Sequence, residues 1–70
     1  MIKIKNLTER ITVNPDIMVG KPIIKGTRIT VEHVLDLLAQ GIAITEILED
    51  YPHIKIEDIY ACFALSLQPG

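Results

Sequence analysis

Seventy residues, of which 49% are hydrophobic but only 4% aromatic, with a formal charge of −2, allow one domain with an aliphatic core. An internal disulfide is excluded because Cys62 is the only cysteine, and no run approaches the roughly 20 apolar residues of a membrane span. A domain this small cannot hide that much apolar side-chain area, so a second chain is expected to cover part of it.

The chain opens with an arm, residues 1–8, in which Ile2 and Ile4 alternate with Lys3 and Lys5 as an edge strand would. This start lacks the apolar centre of a signal peptide, so the expected location is the cytoplasm. Arg10-Ile11-Thr12-Val13 is a second β-like run, closed by the turn chemistry of Asn14-Pro15-Asp16. Farther on, Ile23-Ile24 and Ile29 with Val31 flank Lys25-Gly26. That pattern predicts a hairpin whose tight turn uses Gly26 at positive φ, within a β element of about residues 10–30. Lys21, Lys25 and Arg28 then surround one small loop as candidate contacts for a partner or a nucleic acid. Arg28 has an alternative role, tethering the hairpin to an acid on the helical body.

Thr30 is a credible N-cap for a helix over about 31–40, with Gly41 just past its end. Val31, Val34, Leu35 and Leu38 give it one apolar stripe. Thr45 is expected to cap a short helix over about 46–50, which Tyr51-Pro52-His53 ends because a residue before proline avoids helical geometry. The last helix spans about 56–67, with Glu57 and Asp58 in its first turn. Ile56, Ile59, Tyr60, Phe63 and Leu67 form its expected core stripe. Ala61, Cys62 and Leu65 then point elsewhere and form the expected interface of a homodimer. The whole reads as one mainly α domain, a helix-turn-helix or winged-helix-like bundle of three helices with a small N-terminal β-hairpin element.

Charge divides along the chain. Residues 1–30 hold six Lys and Arg against two acids, and residues 31–70 hold one Lys against seven acids. Catalytic patterns are missing. His33 and His53 are too dispersed to share a metal with Cys62, and the adjacent acids Glu49-Asp50 and Glu57-Asp58 do not converge on one atom from a helix. The Gly-Lys-Pro segment lacks the glycine spacing of a phosphate loop. No small-molecule substrate or cofactor is expected, and Cys62 reads as an inert buried thiol. The last helix offers no Arg, Lys, Asn or Gln to base edges before Gln68, so any DNA contact would fall to Lys21, Lys25 and Arg28.

Several of these residues recur in a known pattern. Asn14-Pro15-Asp16, Gly20-Lys21-Pro22, Gly26-Thr27-Arg28-Ile29, Gly41, Tyr51-Pro52-His53 and the following Ile-Glu-Asp-Ile resemble the family called domain of unknown function 433, over about residues 10–65. The structural positions of that motif here are Gly20, Pro22, Gly26, Thr27, Gly41 and Pro52. The resemblance implies a homeodomain-like fold. It also implies the antitoxin half of a prokaryotic toxin–antitoxin pair, with a PIN-like nuclease as partner. Lys55 departs from the threonine or similar cap of family members, which leaves the start of the last helix open. The functional expectation is a non-catalytic, dimeric, nuclease-neutralising protein; the alternative is a DNA-binding regulator, its own operon included among the candidate targets, that uses the basic hairpin.

Overall fold

The computed structural model describes residue 7 and residues 9–67; the expected strand in the arm lies almost wholly outside them. Two short strands, β1 (Ile11–Val13) and β2 (Pro22–Ile24), are followed by helices α1 (Val31–Ala39), α2 (Ile44–Asp50) and α3 (Ile56–Ser66). The fold is mainly helical, three helices against a small antiparallel sheet.

The β element differs in one respect from the hairpin read in the sequence. β2 pairs with β1, in the register Ile11 to Ile24 and Val13 to Pro22, across the intervening residues 14–21. The Lys25–Arg28 turn is present, with Gly26 at φ +83° and, its two chain neighbours aside, no heavy atom within 4 Å of where its Cβ would stand. Its glycine is therefore set by backbone conformation and not by crowding. Thr27 fastens the turn: its hydroxyl donates to the Ile24 carbonyl at 2.8 Å and accepts from the Ile29 N–H at 3.0 Å. Beyond the turn, only Thr30 forms a bridge, with Ile23, because Val31 already belongs to α1.

α1 is capped at both ends as its sequence implies. The Thr30 hydroxyl accepts the His33 N–H at 3.0 Å. At the other end Gly41 takes φ +87°, its N–H reaching the Leu38 carbonyl and that of Ile42 reaching Leu37. This is a Schellman ending, in which left-handed backbone satisfies orphan carbonyls. α2 begins two residues earlier than Thr45 predicts, after Ala43, with no side-chain cap. Ile44 packs on the core from the first helical position, and burying it outweighs the ~1 kcal/mol of a threonine cap.

Lys55 is the N-cap residue of α3. Its ammonium cannot accept a hydrogen bond. The helix start is fixed from the other side, by Asp58, whose Oδ2 accepts the Lys55 N–H at 2.9 Å. The main core gathers Ile24, Val31, Val34, Ile47, Ile54, Ile59 and Cys62. A second cluster joins Leu7 to Ala61 and Ala64 under Ile11.

Candidate interaction surface

α3 is apolar around most of its circumference, and the fold decides which side faces inward. Its inner side carries Asp58, Ile59, Ala61, Cys62 and Ala64, all buried. Ile56, Tyr60 and Phe63 remain 38–39% exposed and Leu67 80% exposed. The sequence assignment is thus corrected on both counts. Ala61 and Cys62, expected at a dimer interface, have no exposed surface and are covered by the chain itself; Leu65 is half-buried against the main core. The expected core stripe keeps only Ile59 inside. The reason is size: three of the inner residues are small, which lets α3 lie close to α1 and β1, and the large side chains have no room there.

The outer residues form one seam. Ile56, Tyr60, Phe63 and Leu67 are spaced by four, three and four residues, so they stack along a single line of the helix. No charged residue interrupts that line.

The basic residues do not form one cluster. Lys21 pairs with Glu32 on α1 at 3.3 Å, both side chains mostly in solvent. Lys21, Glu32 and Arg28 line one broad groove together with the apolar Met18, Ile29 and Leu35. Lys25 lies on a different cleft with Arg10, His53 and Lys55. The tether assigned to Arg28 belongs to Arg10: its Nη1 donates to Asp58 Oδ1 at 3.0 Å, the carboxylate side chain being only 8% exposed. Among the described residues Arg28 makes no side-chain ion pair. The signal for Arg10 was weak, since it precedes a strand and its acid lies 48 residues away.

Pro22 opens β2 at the exposed end of the ladder, where its missing N–H is tolerated. Gly20 closes a left-handed turn in which Met18, Val19 and Gly20 have φ of 50°, 56° and 76°. A β-branched residue at positive φ is strained, and Val19 is also 93% exposed. Tyr51 leaves helical geometry ahead of Pro52, and its hydroxyl lies 3.1 Å from His33 Nε2. Burial, aided by the nearby Asp58 carboxylate, pushes the Cys62 thiol up to about 11. Among the described residues no three His, Cys, Asp or Glu side chains converge to hold a metal, and no helix is long and apolar enough to cross a membrane.

Comparison with known proteins places these features. Residues 11–65 match the model of the family described as protein of unknown function (DUF433). The chain is 37% identical over 51 residues to the uncharacterized protein y4eO of Sinorhizobium fredii, covering 73% of this chain and 23% of that protein. The crystal structure of a DUF433 member from Anabaena variabilis aligns with a TM-score of 0.79 and 29% identity, over 89% of this chain and 61% of that one. The chain therefore spans less than a quarter of the first relative and under two thirds of the second.

Proposed function

This chain belongs to the DUF433 family, and we propose that it is a non-catalytic interaction module, the antitoxin component of a type II toxin–antitoxin pair that binds and neutralises a PIN-like nuclease in the cytoplasm. The observation that carries the interaction role is the outer seam of α3, four large apolar residues facing water with no charge among them. A contiguous exposed apolar patch on a small domain marks a protein-binding surface. The nuclease as partner comes from the family resemblance.

The test is inhibition. A PIN-like nuclease from the same genome, taken first from the genes beside this one, is purified and its cleavage of single-stranded RNA measured as the protein is added. Stoichiometric loss of cleavage, with co-elution of the two chains, is expected. Undiminished cleavage at excess protein, with separate elution, overturns the antitoxin role.

The second reading, a DNA-binding regulator, is favoured by one observation: Lys25 shares a cleft with Arg10, His53 and Lys55. Two acids, Glu9 and Asp58, line the same cleft, and Lys21 is engaged by Glu32. Phosphate binding requires cations free to neutralise the backbone, so this reading is the weaker one. A gel shift on the gene's own promoter that weakens on Lys25→Ala would establish it.

A further inference from the structure

We infer that the outer seam of α3 is the contact by which two copies of this chain pair, helix against helix, antiparallel and about a two-fold axis between Tyr60 and Phe63. The inference rests on reading the chain as an interaction module and names the occupant of its surface.

Three features select a second copy. The first is spacing. Intervals of four, three and four residues are those of the alternating seam positions of a coiled coil, and the partner such a seam fits is another helix. The second is order. Read from either end the seam runs aliphatic, aromatic, aromatic, aliphatic: Ile56, Tyr60, Phe63, Leu67. In an antiparallel pair Ile56 meets Leu67 of the other copy, and Tyr60 meets Phe63. A two-fold contact needs a surface complementary to itself, and this seam has that property. Aromatic pairs add stabilisation beyond the area they bury. The third is charge. The four seam residues carry none, so two copies of the same surface meet without like-charge repulsion along it.

Area sets the strength. The four residues leave roughly 350 Å² exposed per copy, so the pair buries about 700 Å² through them, below the 1,200 Å² of a standard interface. The dimer is accordingly reversible and depends on concentration.

Two measurements on the chain alone test this. In sedimentation equilibrium the mass should rise from 7.8 kDa toward twice that value as concentration increases from roughly 10 μM to 1 mM. Leu67→Lys, at an exposed position at the helix end where a cation suits the dipole, should weaken association about tenfold or more with an unchanged monomer melting curve. A single-chain mass throughout, or association indifferent to L67K and to Y60S, overturns the inference. Orientation is read by mixing I56C with L67C under mild oxidation. Antiparallel pairing gives cross-links between unlike copies; cross-links within each variant alone overturn the two-fold arrangement. Cys62 does not interfere, being fully buried.

The two proposals fail separately. Nuclease inhibition without self-association sinks the dimer and leaves the antitoxin role. Self-association through the seam without inhibition does the reverse. If L67K abolishes inhibition in a protein that is monomeric at every concentration, the seam belongs to the nuclease and the second copy is ruled out.

Discussion

The inner and outer sides of α3 are both largely apolar and opposite in what they do. The inner side is mostly small and carries one acid, Asp58, yet it organises the domain. Ile59 and Cys62 fill the main core, Ala61 and Ala64 admit Leu7, and Asp58 joins the start of α3 to Arg10 beside the sheet. The outer side holds more apolar volume, yet Ile56, Tyr60 and Phe63 keep 38–39% of their surface in water and Leu67 keeps 80%. Apolar content therefore does not identify the core face of a helix. What identifies it is fit: small residues face in where backbones approach closely, and large ones stay out unless another molecule meets them.

The contrast is broken most sharply by emptying the inner side. Ile59 is fully buried, so Ile59→Ala should destabilise the domain by about 2–5 kcal/mol, read as the shift in a urea unfolding curve. For a chain of this length that is most of its stability, and a loss under 1 kcal/mol would show that α3 does not pack as described.

Next in size is the polar link. Arg10→Ala leaves the Asp58 carboxylate buried with only the Lys55 N–H as partner. A cost of about 1–3 kcal/mol is expected, the lower end applying because the Arg10 side chain is 38% exposed and its pair partly screened. Arg28→Ala is the control. It should change stability by less than about 0.5 kcal/mol, since Arg28 has no ion pair among the described residues.

The buried thiol gives a pH test. Its pKa is raised in the folded chain to about 11 from an ordinary 9.0, mainly by burial and secondarily by the Asp58 charge. The unfolded chain thus loses its proton first. Stability from this group is whole below about pH 9 and falls as pH rises toward 11, where the folded thiol also ionises. Cys62→Ala should flatten that decline in melting temperature between pH 9 and 11. A decline equal in both proteins would mean that the thiol is not buried.

The smallest effect belongs to the outer side. Leu67→Lys should move the melting temperature of the dilute monomer by an amount equivalent to about 0.5 kcal/mol or less, the range of exposed substitutions. A larger loss would show that the seam supports its own domain.

Much of the fold was legible in the sequence because it is written locally. Thr30 caps α1 through its own third neighbour, and the Gly41-Ile42 pair ends it, the Gly41 N–H reaching a carbonyl three residues back and the Ile42 N–H one five residues back. Gly26 and Thr27 make a turn within six residues, Ile24 to Ile29. Tyr51-Pro52 closes α2, and the motif spacing from Asn14 to the last helix leads to the family. None of these depends on what the rest of the chain does.

What only the tertiary structure decided is relational. Periodicity gives an apolar helix no direction, so the inward side of α3 was fixed by the space that α1 and β1 leave for it, which admits alanine and cysteine and turns tyrosine and phenylalanine outward. The pairing of β1 with β2 across a strained left-handed turn, the early start of α2 at Ile44, and the choice of Arg10 over Arg28 as the tether each join residues distant in sequence. Local propensity ranks what each segment can form. Burial of a particular face, and the pairing of a particular charge with a buried acid, are settled only when the segments meet.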